Sequence, residues 1–316
     1  MSTKRLPTST LDGGVLASIR HAIANFLRRC GLQYTEITID EAYYSECCQE
    51  AINRGFPMDG KYSIRSYMAI GVAMAAYGYA HLPDPAVRMW VCLFTVVSSR
   101  IDDMMARGED MVHVYRFNER FVNCQPQGDP ILTAYDVLLR ELTRLQSPLV
   151  SNLITTSVLN FVSSNCLDNE NKDMQILPQT PLYPEYFRIL SGVADPYALI
   201  IFPSMLPIRE YIQCMPYLRI VINHGNDILS YYKEEIVGDT TNYLSHIAAS
   251  RAITKQDALN EVIEKTVQAH HNILECLRPH TEAYNAYVSF SDGYVKFHAA
   301  LRRYKMDEIM AEMPSS

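Results

Sequence analysis

Asn226, Ser230 and Glu234 stand at i, i+4 and i+8 in the stretch Asn-Asp-Ile-Leu-Ser-Tyr-Tyr-Lys-Glu. On an α-helix this spacing drifts only slightly around the axis, so an amide oxygen, a hydroxyl and a carboxylate point the same way. Lys233, at i+7, joins them within an arc of roughly 100°. Hard oxygen ligands at helical spacing suit Mg²⁺, which keeps its other coordination positions for water and phosphate oxygens. The ammonium beside them would meet the same phosphates. Together these residues describe a metal-assisted diphosphate site on one helix face.

A second acidic centre is Asp102-Asp103, flanked by Val-Val-Ser-Ser-Arg-Ile and Met-Met. It falls near the C-terminal end of an apolar helical run, where two carboxylates repel each other and face the negative end of the helix dipole. A divalent cation would relieve both costs; pairing of Asp103 with Arg107 at i+4 is the plain structural alternative. Cations recur in Arg302-Arg303-Tyr304-Lys305, where a helix C-terminus alone would favour them by about 0.3–1 kcal/mol each. An arginine fork and a phenol there could also bind phosphate oxygens. Arg188, with Gly192 four residues on, completes the set of candidate residues.

These stretches occur in an order and spacing that resemble class I terpene cyclases, most closely the fungal trichodiene synthase family. The stretch 226–234 looks like that family's second metal motif, (Asn/Asp)-Asp-x-x-(Ser/Thr)-x-x-x-Glu, and Asp102-Asp103 like its Asp-rich motif. Here Ala106 stands where the family usually has a further acid, with Glu109 or Asp110 as possible replacements for the missing charge. The resemblance implies metal ligation by Asp102, Asn226, Ser230 and Glu234, with three Mg²⁺ ions. It makes Arg188 the diphosphate sensor, Gly192 the helix break that exposes a backbone carbonyl, and Arg303 and Tyr304 a diphosphate-binding pair assisted by Lys233. Phe297 becomes the best cation–π candidate. Thr95, on the same face as Asp102, replaces a bulkier aromatic of the trichodiene enzymes and implies a different product.

The resemblance covers roughly residues 60–305. It implies ionisation of a prenyl diphosphate, farnesyl diphosphate foremost, then cyclisation of the allylic carbocation to a hydrocarbon or alcohol. A prenyl-chain-elongating synthase would need a second Asp-rich motif where this chain has Asn226, Ser230 and Glu234. A catalytically silent helical protein binding a prenyl ligand or a partner is the other alternative. A homodimer is expected from the resemblance alone.

The elements that must hold these residues read as all-α. Helical periodicity runs over 15–29, 40–54, 62–80, 87–105, 109–122, 130–146, 148–167, 184–201, 210–236, 254–277 and 281–305, and no useful strand alternation occurs. Asp84-Pro85 should open the helix carrying Asp102, which is apolar all round and so should be central. Gly238 should close the helix carrying Glu234, and Thr254 with Asp257 spells a capping box. Residues 1–12 read as a disordered tail and 13–316 as one α-domain. The 168–184 segment, with three prolines, reads as an exposed loop.

At 316 residues and 48% hydrophobic content the chain can bury a large core, and its net charge of −7 argues against nucleic acid as a partner. The eight cysteines contain no CxxC pair, and the first residues are polar. Reduced thiols, no zinc and a cytoplasmic protein without a membrane span are expected. His270-His271 and Cys47-Cys48 receive no role, because adjacent residues point apart on a helix.

Overall fold

The computed structural model describes residues 13–310 except Asp173, so the expected tail 1–12 lies outside the described residues. The described residues form helices joined by loops and contain no strand. In order it forms α1 (Gly13–Arg29), α2 (Glu41–Asn53), α3 (Met68–Ala73), α4 (Pro85–Ala106), α5 (Val112–Tyr115), α6 (Phe117–Val122), α7 (Pro130–Leu145) and α8 (Pro148–Glu170). It continues through α9 (Tyr183–Ser191), α10 (Ala194–Ile200), α11 (Met215–Val237), α12 (Tyr243–Arg251), α13 (Lys255–Leu277), α14 (Thr281–Ala300) and α15 (Met306–Met310).

Local chemistry explains where several helices begin. Asp84, Asp129 and Ser147 each accept a hydrogen bond from the first turn and are followed by proline, whose missing N–H costs nothing at that position. Thr254 and Asp257 do form the capping box, and Gly238 ends α11 at φ 70°.

Helix α4 is central, as its composition requires. Every side chain from Met89 to Ser98 is buried, and the Trp90 indole donates to the Leu138 carbonyl of α7 at 2.8 Å. Fully burying residues such as Trp90, Phe94 or Val96 contributes on the order of 1.5–3 kcal/mol each. One contiguous apolar core links α4 to α3, α7, α11, α13 and α14.

Several boundaries differ from the sequence reading, each for a tertiary reason. The expected helix 62–80 divides into a 3₁₀ turn, α3 and a π-helical turn at Met74–Gly78. Gly293 of α14 lies against that turn, where an added Cβ would come within 2.0 Å of the Tyr77 carbonyl oxygen. The run 109–122 breaks at Arg116 into α5 and α6. The run from 210 opens with two 3₁₀ turns before α11, and α8 extends into the expected loop as far as Glu170. Helices α12 and α15 were not expected at all. The final expected helix stops at Ala300, and Arg302–Tyr304 form a 3₁₀ turn beyond it.

Candidate active site

Helices α4 and α11 face each other across a cavity. Asp102 from α4 and Asn226, Lys233 and Glu234 from α11 line it together with Arg188 from α9 and Arg303 and Tyr304 from the 3₁₀ turn. Its inner wall is apolar and aromatic, with Ile70, Met74, Phe161, Ile222, Tyr294 and Phe297. A contiguous polar chamber shares Asp102, Arg188, Asn226 and Glu234 and adds Asp168, Asn242 and His246. The sequence candidates therefore converge at one mouth.

On α11, Ser230 is buried and donates its hydroxyl to Glu234 Oε1 at 2.6 Å. It lies behind the lining residues, so of the four expected ligands it is the one that does not line the cavity. Lys233 Nζ stands 3.3 Å from the same carboxylate oxygen and 5.5 Å from the centre of the Tyr304 ring. Arg303 also approaches Tyr304, its Cζ 5.7 Å from the ring centre. Tyr304 is buried, and its phenol is raised by that burial, with Arg303 and a hydrogen bond from Asn226 opposing.

Asp102 is reached by solvent through the cavity mouth yet is ringed by protein. Burial first and the neighbouring Asp103 second raise its carboxyl to about 6; Asp168 adds to the rise, and Arg188 and Arg303 oppose it. The alternative pairing of Asp103 with Arg107 is not formed: Asp103 accepts a hydrogen bond from the Tyr67 hydroxyl at 2.8 Å, and Arg107 pairs with Glu109 at 2.9 Å.

The compensation expected for Ala106 is corrected. Both Glu109 oxygens accept from the fully buried Arg100, and Arg107 adds a third contact. Burial pushes the Glu109 carboxyl up, but the two guanidinium groups outweigh it and hold it below the usual range. Its charge is neutralised in the loop and cannot serve the cavity. Asp110 accepts from the Val112 backbone N–H in the turn before α5. The additional acid that does face the cavity is Asp168, on α8.

Arg188 is held by a partner inside the opening motif. Its Nη2 lies 2.8 Å from Asp227 Oδ1, its Nε donates to Oδ2 at 3.1 Å, and Nη2 also donates to the Asn223 carbonyl at 3.0 Å. Burial pulls the guanidinium pKa down, but Asp227 outweighs it and holds it above the usual value. Helix α9 is anchored by Glu185, which accepts from Tyr243 at 2.6 Å and Lys265 at 2.8 Å and lies 3.7 Å from His224. His224 first, with Lys265 and Tyr243, holds that carboxyl well below the usual range against its burial.

The break after α9 lies at Gly192 as expected, though for a different reason. Gly192 itself has φ −78°, and Val193 takes the left-handed conformation at φ 50°. What requires glycine is space, because a Cβ there would fall 2.0 Å from the buried Asn223 Oδ1.

Phe297 lines the cavity, stacked on Tyr294 at 5.9 Å and edge-on to Tyr304 at 5.8 Å. Beside Thr95 stands an aromatic ring from another helix: the Tyr197 hydroxyl of α10 donates to Thr95 Oγ1 at 3.0 Å. Asn223, Asp227, Asp168, Tyr197 and His298 escaped the sequence reading. Asp227 sits inside the motif and Asn223 one turn before Asn226, so spacing was the available signal for those two. For the others there was none.

Among the described residues no cluster of three or more His, Cys, Asp or Glu is placed to hold a metal ion. The available donors are instead dispersed hard oxygens of carboxylate, amide and hydroxyl groups around a carboxyl that lacks a matching cation. This fits a weakly held oxygen-seeking ion whose coordination is completed by water and ligand oxygens. His270 is buried and His271 exposed, while all eight cysteines are free. None of the described helices is long and apolar enough to cross a membrane.

The bundle and its cavity have the class I terpenoid synthase fold. Linalool/nerolidol synthase from Streptomyces clavuligerus, solved with 2-fluorogeranyl diphosphate, superposes with a TM-score of 0.61 at 10% identity, covering 88% of this chain and 99% of that one. 2-Methylisoborneol synthase from Streptomyces coelicolor, solved with Mg²⁺ and the same analogue, gives 0.54 at 13% identity, with 90% and 97% covered. Sequence places it more finely. The family model for trichodiene synthase (TRI5) matches residues 21–316, and the chain belongs to that family. The match begins well before the residue-60 limit of the motif resemblance.

α-Cuprenene synthase COP6 of Coprinopsis cinerea is 33% identical over 293 residues, covering 92% of this chain and 90% of the relative. Longiborneol synthase CLM1 of Gibberella zeae is 29% identical over 280 residues, with 85% and 80% covered. The protein is a terpene synthase, a lyase that cleaves a carbon–oxygen bond to phosphate. Dependence on a divalent metal and binding of a prenyl diphosphate go with that class.

Proposed function

We propose that the chain is a Mg²⁺-dependent sesquiterpene synthase that ionises farnesyl diphosphate and closes the resulting allylic cation into a cyclic hydrocarbon or alcohol. The observation that carries this reading is the convergence of Asp102 with Asn226 and Glu234 at one cavity mouth, above an apolar aromatic wall. Asp102, Asn226, Ser230 and Glu234 would hold the metal, with three ions expected. Mg²⁺, when bound, supplies Lewis-acid neutralisation of the departing diphosphate.

The protein's own contribution is positional and electrostatic. Arg188, Lys233, Arg303 and Tyr304 bring three cations and a hydroxyl to the mouth, where developing negative charge on the leaving group is met by preorganised donors. Below them Phe297, Tyr294 and Phe161 exclude the water that would quench a carbocation, and ring faces stabilise positive charge. The inner space of about 280 Å³ lies near the lower end of small-molecule pockets, about 300–1,000 Å³. Asn226, Ser230 and Glu234 in place of a second Asp-rich motif favour cyclisation over elongation. The reading includes a cytoplasmic location.

The test is incubation with farnesyl diphosphate and Mg²⁺, followed by gas chromatography of the extract, with geranyl diphosphate in parallel. A cyclic C15 product with released diphosphate is expected. Longer prenyl diphosphates would identify elongation instead. Turnover of the geranyl substrate alone would move the substrate assignment, and absence of turnover with either would overturn the proposal.

A further inference from the structure

His298 is fully buried on α14, between the metal-motif helix and Tyr304. Its Nδ1 lies 2.7 Å from the Tyr294 carbonyl oxygen. A carbonyl can only accept, so Nδ1 carries the proton and the neutral ring has only a lone pair at Nε2. That lone pair faces Asn226, with the Asn226 Nδ2 at 3.3 Å. An amide oxygen there would set two lone pairs against each other, so the NH₂ end must take this place. With its nitrogen committed inward, the amide has its oxygen left for the cavity that the residue lines.

We propose that His298 is a positioning residue that fixes the orientation of the Asn226 amide, so that its oxygen and never its nitrogen is offered to the bound cation. The inference rests on the reading of this mouth as a Mg²⁺–diphosphate site. An asparagine ligand has one useful face, and a free amide would place either end toward the metal; the ring removes the wrong half. Groups that orient ligands from behind in this way typically change metal affinity about 10–100-fold when removed.

The test is calorimetric titration of Mg²⁺ into the full-length protein with inorganic diphosphate, so the readout does not depend on turnover. His298→Phe keeps a ring and removes the acceptor, and is expected to weaken Mg²⁺ binding about tenfold or more with the helical CD spectrum unchanged. His298→Leu carries the same expectation and serves as the test if the larger ring disturbs folding. His298→Gln restores an acceptor oxygen and should stay within about threefold of the parent, well short of that loss. In an Asn226→Asp background there is no wrong end to exclude, and a carboxylate oxygen meets the His298 lone pair, so there His298→Phe should not weaken Mg²⁺ binding. Unchanged binding in His298→Phe and His298→Leu, or an equal loss in both backgrounds, overturns the positioning role while leaving the proposed function standing. Failure of the parent protein to take up Mg²⁺ with diphosphate overturns both.

Discussion

Arg188 and Asp227 are joined across α9 and α11 by two contacts of 2.8 and 3.1 Å, with side chains only 17% and 11% exposed. The cation expected to meet diphosphate is therefore already oriented by an acid from the metal-motif helix. Any shift of α11 on ligand binding is felt directly by Arg188.

Asp227→Ala leaves a mostly buried guanidinium without its counter-charge. Removal of one partner of a buried pair costs on the order of 3–5 kcal/mol. Urea unfolding should show a loss of that order in the ligand-free protein, partly restored by Mg²⁺ with diphosphate. A loss below about 1 kcal/mol, the value of an exposed pair, would show that Arg188 is stabilised by other means.

Asp102→Asn and Glu234→Gln keep shape and remove a negative charge. Turnover of the prenyl diphosphate is expected to fall at least about 100-fold, the scale seen when an electrostatic group is removed from an active site, with the helical CD signal intact. Because burial and Asp103 disfavour the Asp102 anion, Asp102→Asn should leave thermal stability equal or raised. Parallel loss of stability and activity would mark Asp102 as structural.

Gly192→Ala places a methyl where Asn223 Oδ1 now sits, 2.0 Å from the ideal Cβ position. Overpacking of this kind costs typically about 1–3 kcal/mol. The strain falls on the joint between α9 and α10, so Arg188 should move with it. We expect a rise in KM for the diphosphate substrate beyond the stability loss; an unaltered KM would uncouple the break from Arg188.

Stability should fall on acidification through the buried histidines. Burial lowers His270 to about 4, against the Tyr287 hydroxyl at 2.8 Å, and burial lowers His298 to about 3. The unfolded chain takes up these protons first, near pH 6.5, whereas the folded chain resists until about pH 4. The contribution is thus complete above pH 6.5 and shrinks as pH drops through that window, by up to about 1.4 kcal/mol per unit for each group. Denaturant midpoints from pH 7 to 5 should show this slope, and His270→Phe should reduce it. An identical slope in that variant would place the effect elsewhere.

Helical spacing alone placed Asn226, Lys233 and Glu234 on one face, because a regular helix converts sequence separation into direction. Capping chemistry located the starts of α4 and α13, since Asp84-Pro85 and Thr254-Asp257 act within a single turn. The all-α class followed from periodicity and the absence of alternation. Irregularities at Met74–Gly78, Arg116 and Ala300 did not follow, because they arise where one helix meets another.

Partner choice was likewise beyond the chain's local order. Glu109 turns to Arg100 and Arg107, Arg188 turns to Asp227, and Asn226 backs onto His298 over a separation of 72 residues. A carboxylate near a motif looks the same in sequence whether it faces a metal or a buried guanidinium. Local backbone geometry therefore determined which residues could do the chemistry. The packing of distant helices, which desolvates each charge and leaves it one available neighbour, decided which of them face the cavity.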